Sequence, residues 1–424
     1  MAHNRRQFLE RLSVPLVSLA SPGLAEAALV RRSANGARAT SPGRSAEGAN
    51  AAEVYDTLIK GGHVVDPAGG LSAVSDVAIA AGRIARVAPD LPAAGARRLV
   101  DASGRIVTPG LIDIHVHVFD AVAGVSMPAD AGSLAHGVTT VVDAGSAGAT
   151  TFPGFRKYII EPSATRIYAA INISTIGLVT LNELTDLTLV DPAAAERVIT
   201  ANRDRIVAIK IRLTGALGAG QDLEVLRRAR RASDATGVPL MVHIGGSPSP
   251  LREILASLKR GDVVTHVLRE QPNGAIDAEG RVRESFLDAR ARGVVMDVGH
   301  GSGNFSWKTA ELAAAAGWWP DTISSDLHSR NANGPVFDLA TTMSKFMKLG
   351  MTLEETIARA TAAPARLYPF PGGAGTLDEG AVADIAIFRL DQSRYVFTDS
   401  FKQTREGPRG LVPEATFRSG VKVA

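Results

Sequence analysis

One alternation constrains this chain more than any other feature. From residue 110 to about 370, short apolar stretches alternate with helix-like ones. The strand candidates are 111–118, 139–145, 166–174, 206–213, 239–245, 263–268, 294–300 and 322–327. Between several of them lie amphipathic runs at 222–237, 251–261, 284–293 and 307–317, each ending in Gly, the residue that most easily takes the left-handed turn closing a helix. Eight strand–helix units in this span predict an α/β fold of the (β/α)8, TIM-barrel type. A doubly wound open sheet is the rival. It would place G-x-G-x-x-G after the first strand, and none is there.

The flanks read differently. Leu58–Pro67 and Val77–Ile84 are strand-like segments around glycine turns, and Ala383–Phe388 and Tyr395–Phe397 repeat that character near the other end. Residues 53–108 and 371–424 are therefore expected to form one small β-sandwich domain from both flanks, with residues 109–370 as the barrel.

The first 52 residues stand apart. Asn4-Arg5-Arg6-Gln7-Phe8-Leu9 precedes a moderately apolar stretch, Leu12–Leu24, and a small-x-small ending, Ala25-Glu26-Ala27. These are the parts of an export signal. Arg-Arg-x-Phe-Leu resembles the twin-arginine type, although Glu10 stands where a basic residue is usual. Residues 1–27 are read as that signal, implying a periplasmic or secreted protein. Residues 28–52, rich in Ala, Ser, Gly and Arg, read as a flexible linker. The alternative is a disordered tail on a cytoplasmic protein.

Charge excludes one class of partner. The first 50 residues carry seven Arg and three Glu, leaving 39 basic against 40 acidic side chains in the body. A neutral body does not suit nucleic acid. No apolar run reaches the roughly 18 residues of a membrane span. The chain has no Cys, which removes thiolate metal sites and cysteine nucleophiles.

The active end of such barrels is the C-terminal rim of the strands. Polar residues interrupting the apolar runs there are His115 and His117 on the first strand, Lys210 on the fourth, His243 and His266 on the fifth and sixth, and Asp326 on the eighth. The i, i+2 spacing of His115 and His117 puts both on one strand face. A buried ammonium costs several kcal/mol unless paired or neutralised, so Lys210 asks for an explanation. Imidazoles and carboxylates suit Zn²⁺ or Mn²⁺. A neutral lysine can take up carbon dioxide as a carbamate, which can bridge two cations. The set predicts metal-assisted hydrolysis.

This arrangement resembles the amidohydrolase superfamily. The stretch Pro109-Gly110-Leu111-Ile112-Asp113-Ile114-His115-Val116-His117 is similar to its entry motif. Gly137–Asp143 is similar to its second strand, and Thr361–Leu367 and Gly375–Asp384 to its closing signatures. Asp297–Gly303 and Ser324–His328 narrow the likeness to dihydroorotase-like amidohydrolase/deacetylase metallohydrolases. The resemblance spans residues 54–424. It implies that His115 and His117, with Asp326, bind one cation, that His243 and His266 bind a second, that carbamylated Lys210 bridges them, and that Asp326 moves the proton. Dihydroorotases place an Arg two residues after the second His; here Val118-Phe119-Asp120 follows His117, which points away from dihydroorotate. Arg212 is the expected contact for a substrate carboxylate, His300 and His328 for the scissile carbonyl or leaving group, and Ser146 is a further contact.

The expected activity is hydrolysis of an amide or ester in a small carboxylate-bearing molecule, most concretely deacetylation of N-acyl amino acids or O-acyl hydroxy acids. A cyclic amidase or lactonase could use the same centre. An exported metal-binding protein without turnover is the non-enzymatic rival. Association into a homo-oligomer is also expected.

Overall fold

The computed structural model describes residues 55–424; the expected signal and linker lie outside them. The first flank supplies β1 (Thr57–Asp66), β2 (Leu71–Ala80), β3 (Arg83–Ala88), β4 (Leu99–Asp101) and β5 (Ile106–Pro109). Seven parallel strands follow: β6 (Leu111–Val116), β7 (Val138–Gly148), β8 (Arg166–Asn172), β9 (Ile206–Thr214), β10 (Leu240–Gly245), β11 (Val263–Thr265) and β12 (Val295–Asp297). The second flank adds β13 (Ile385–Asp391), β14 (Tyr395–Thr398), β15 (Thr404–Gly407), β16 (Gly410–Arg418) and β17 (Val421–Lys422).

Both flanks meet in one mixed sheet, ordered β17-β16-β13-β5-β1-β2-β3, with β4 paired to β1. The junction is the antiparallel pairing of β13 with β5. β14 and β15 form a separate hairpin.

The parallel strands are paired strictly in chain order, as right-handed strand–helix units require. The expected eighth strand forms no ladder. The segment 322–327 touches both edges of the parallel sheet through two parallel bridges, Thr322 with Asp297 and Leu327 with Val116. The sixth and seventh expected strands are also shorter than their apolar runs, stopping at Thr265 and Asp297. His266 takes φ +74° and Asp326 φ +50°. Backbone in the left-handed region cannot continue a strand, so these residues turn out of the ladder. For non-glycine residues this conformation costs about 1–3 kcal/mol each, and it concentrates at functional sites. The helices Gln221–Thr236, Leu251–Ala256, Glu284–Ala291 and Trp307–Ala315 occupy the expected runs, and the glycines 237, 261, 293 and 317 have positive φ.

Alternation along the strands sorts the residues by layer. On one face of β8–β11 the deep positions are Tyr168, Ala170, Ala208, Met241 and Val263, all in one buried apolar cluster with Tyr368. The same face continues upward as Asn172, Lys210, Arg212, His243 and Thr265. The registers align this polar layer: Lys210 faces Asn172 and Met241, His243 faces Arg212 and Thr265, and Thr265 faces Asp297. Trp307 and Trp318 pack in the main core, consistent with helix packing. Among the described residues no helix is long and apolar enough to cross a membrane.

Candidate active site

The polar layer closes into a cavity of about 210 Å³ lined by His115, His117, Lys210, Arg212, His243, Asp326 and His328, with residues of four loops beside them. Ligand-capable atoms of His115, His266 and Asp326 lie within 4.8 Å of one another. His117 Nε2 is 3.2 Å from Asp326 Oδ1, and His115 Nε2 is 3.4 Å from the same oxygen. Lys210 Nζ is 3.0 Å from His115 Nε2. The His243 ring stands edge-on to His266 at 4.2 Å between centroids. Six side chains scattered over more than 200 residues thus meet at one end of the sheet.

Hydrogen bonds behind the rings fix which nitrogen faces inward. Thr265 Oγ1 donates to Asp297 Oδ2 at 2.7 Å, so it accepts from His115 Nδ1 at 2.9 Å. His266 Nδ1 donates to Gly299 O at 2.6 Å. His117 Nδ1 lies 3.0 Å from Ser146 Oγ. His115 and His266 therefore turn Nε2 toward the centre as an acceptor, and His117 presents its Nε2 there as well. His266 Nε2 is buried with no partner in the protein. Acceptor nitrogens gathered round a carboxylate oxygen repel one another unless a cation stands among them, and so the donor set fits a divalent metal ion.

Burial governs the protonation states. Desolvation pushes His115, His243 and His266 well below the usual imidazole range, and His117 to about 3, so all four imidazoles are neutral. Burial lowers the Lys210 ammonium to about 7, outweighing the attraction of Asp326. Burial lifts the Asp326 carboxyl to about 6 against the pull of His328 and Lys210.

Glycines make room where side chains crowd. A Cβ on Gly145 (φ +89°) would stand 2.7 Å from Lys210 Cγ, and one on Gly301 (φ +55°) 2.3 Å from Asp326 Oδ2.

The residues expected to touch substrate divide. Arg212 and His328 line the cavity. Arg212 Nε also lies 3.6 Å from Glu183 Oε1, and both side chains are nearly buried. His328 Nε2 is 3.2 Å from Ser302 Oγ. Ser146 is fully buried behind His117, so it orients that ring instead of meeting a ligand. His300 is turned away. Its Nε2 accepts from Lys345 Nζ at 2.7 Å, its ring stacks on Phe305 at 4.6 Å, and it does not line the cavity. The tightest cluster also joins His115 with His266, residues that the resemblance assigns to different cations.

Several contributing residues escape sequence reasoning. Asp297 accepts from the hydroxyls of Thr265, Thr322 and Ser324, each at 2.7 Å. Asp143 accepts from Val118 N and Ser146 N, pinning the backbone around His117. Asp113 accepts from Ser325 N and Oγ, fastening β6 to the segment that carries Asp326. Lys345 holds His300, Pro335 O and Thr398 O together. For the three carboxylates a signal existed, since each sits within an apolar strand run.

Comparison with known proteins agrees with this geometry. The amidohydrolase family model matches residues 98–187. A deacetylase of Agrobacterium fabrum is 36% identical over 323 residues, covering 75% of this chain and 79% of the relative. Among solved structures, an adenine deaminase matches with a TM-score of 0.81 at 34% identity, over 87% of this chain and 99% of that one. A dihydroorotase matches with a TM-score of 0.80, also at 34% identity, over 87% of this chain and 97% of that one. Fold, rim chemistry and relatives of this coverage converge: the chain belongs to the amidohydrolase family and is a hydrolase acting on C–N bonds.

Proposed function

We propose that this protein is a metal-dependent deacetylase of small carboxylate-bearing molecules, N-acyl amino acids or O-acyl hydroxy acids. The observation that carries the reading is the convergence of His115 Nε2 and His117 Nε2 on Asp326, beside a buried His266 Nε2 that no group of the protein satisfies. The deacetylase relative supports the reaction class. A cyclic amidase is the second reading, favoured by the dihydroorotase likeness and opposed by the missing Arg after His117.

In this reading His115, His117 and Asp326 would hold one cation and His243 and His266 another, and Lys210 as its carbamate would be a ligand to both. Zn²⁺ or Mn²⁺ suits such a set. Bound there, the ions would supply Lewis-acid polarisation of the acyl carbonyl and a lowered pKa for water. The chain's own part is proton transfer and positioning. The Asp326 carboxylate takes a proton from the attacking water and returns it to the departing nitrogen or oxygen as the acyl bond breaks. His328, at the cavity wall, donates to the leaving group or the carbonyl. Arg212 would add positive potential at the same wall.

The same reading takes residues 109–370 as a closed (β/α)8 barrel and the flanks as a small β-sandwich domain. The two bridges of the 322–327 segment and the shared flank sheet support it. Arg5-Arg6-x-Phe8-Leu9 supports twin-arginine export to the periplasm.

The test is elemental analysis of the purified protein paired with acetate release from N-acetyl amino acids and O-acetyl hydroxy acids, alongside ring opening of cyclic amides and lactones. One or two divalent ions per chain and turnover of open-chain substrates are expected, both abolished by a chelator. Turnover confined to cyclic substrates would establish the second reading. Metal without any turnover would overturn both.

A separate prediction concerns orientation. Thr265→Val removes the hydroxyl between His115 and Asp297 with little change in volume. Metal affinity should fall about 10–100-fold, as for other lost partners of a ligating imidazole. Titration against a chromophoric chelator, with a thermal melt to check the fold, measures it. Unchanged affinity would show that the hydroxyl does not set the ring.

A further inference from the structure

Two arginines face the cavity, and their surroundings differ. Arg212, at an inward position of β9, is nearly buried beside the buried carboxyl of Glu183. A guanidinium does not shed its proton, so the charge is answered inside the protein. A substrate carboxylate brought to Arg212 would have to share one guanidinium with Glu183.

Arg330 is exposed at the mouth, and no carboxylate among the described residues is ion-paired with it. Its loop is braced all the same. Asn331 Oδ1 accepts from His328 N at 2.9 Å, Asn331 Nδ2 donates to Asp326 O at 2.8 Å, and Arg330 N donates to His328 Nδ1 at 3.2 Å. The free guanidinium therefore springs from the same fixed turn as Asp326 and His328. The rest of the wall is uncharged, with Val125, Leu178 and Leu181 as its apolar part and Ser302, Gly303 and Asn304 as its small or polar part. A cavity so lined offers one uncommitted cation above the reacting centre and a hydrophobic surface beside it.

We infer that Arg330, and not Arg212, pairs with the substrate carboxylate, and that the substrate carries an apolar side chain against Val125, Leu178 and Leu181. The inference rests on the deacetylase reading and deepens it. A planar guanidinium takes a carboxylate through two parallel N–H···O bonds, which fixes the acid end and leaves the acyl group to reach the histidines. A second acidic group on the substrate would find only a cation already paired, so N-acetylglutamate should be a poorer substrate than N-acetylleucine.

The experiment compares acetate release from both enantiomers of N-acetylleucine, from the corresponding amide and from N-acetylglutamate, in wild type, Arg330→Gln and Arg330→Lys. Metal content and circular dichroism confirm that the variants are loaded and folded. Wild type should prefer the acid over its amide. In R330Q that preference should fall about ten- to a hundredfold, mainly through KM, the loss expected for a charge-assisted bond. R330K should recover part of it. A preference that survives in R330Q overturns the assignment, as does equal turnover of N-acetylglutamate and N-acetylleucine. If wild type releases no acetate from any of them, the deacetylase reading itself fails. Calorimetric titration of N-acetylleucine into metal-loaded wild type and R330Q then still decides the role of Arg330. About tenfold weaker binding by the variant supports it, and equal affinity overturns it.

Discussion

Lys210→Ala is expected to lose most bound metal and to lower kcat/KM by about a thousandfold or more, since metal assistance is worth several kcal/mol of transition-state stabilisation. Lys210 is fully enclosed, with its amine 3.0 Å from His115 Nε2 and beside Asp326. A lysine placed for structure alone would need acceptors for all three N–H groups of its ammonium, yet the hydrogen-bond partner its amine has here is His115 Nε2, a nitrogen that also suits a cation. Burial brings the amine to about 7, so a usable fraction is neutral near pH 7 and can capture carbon dioxide. The product is an anion with two oxygens among neutral histidines, which is what a pair of cations requires. Alanine removes both oxygens and leaves a space of side-chain size. Short carboxylic acids or bicarbonate should enter that space and partly restore metal, measured by elemental analysis, and acetate release. Wild type prepared with ¹³C-bicarbonate should show a carbamate carbon resonance that the variant lacks. A K210A protein with full metal and full turnover would remove the bridge from the mechanism.

Much of this centre is legible in the sequence because strand pleating has period two. His115 with His117, and Lys210 with Arg212, declare a shared face, and a lysine inside Ile-Val-Ala-Ile-Lys-Ile has no ordinary place in a core. What the sequence conceals follows from backbone turns and side-chain competition. His266 and Asp326 look like strand residues, but their positive φ swings them off the ladder and into the site. His300 has the same appearance, and it is captured by Lys345, a helix residue 45 positions later. Arg212 looks like the anion contact until Glu183, on a loop with no regular pattern, is seen beside it. Asp297 lies in a strand run like the histidines, and three hydroxyls from two segments bind it, so it supports the centre without entering it. Periodicity tells which face a residue takes. It carries no information on which of several neighbours will claim that residue's hydrogen bonds.

Asp326→Asn should separate proton transfer from metal binding. The amide keeps the size and one carbonyl oxygen, so His115, His117 and His266 should still retain at least part of the metal. It cannot accept the proton of the attacking water. Turnover should fall about 10²–10⁴-fold, the usual range for a positioned acid–base group. The pH profile gives a second readout. Burial holds the carboxyl up to about 6, and only the ionised form can act as base, so wild-type kcat should rise with pH through an acid limb. Cations bound beside the carboxylate favour its charged form and can only move that limb lower, so its midpoint should lie at or below about 6. In D326N the limb should disappear along with most of the rate. Retained metal with lost turnover identifies Asp326 as the proton carrier and excludes a protein that merely stores metal. Retained metal with retained turnover and an unchanged acid limb would move the proton to another group, and His328, 6.2 Å from His117 between ring centroids, is the neighbour that would then be tested.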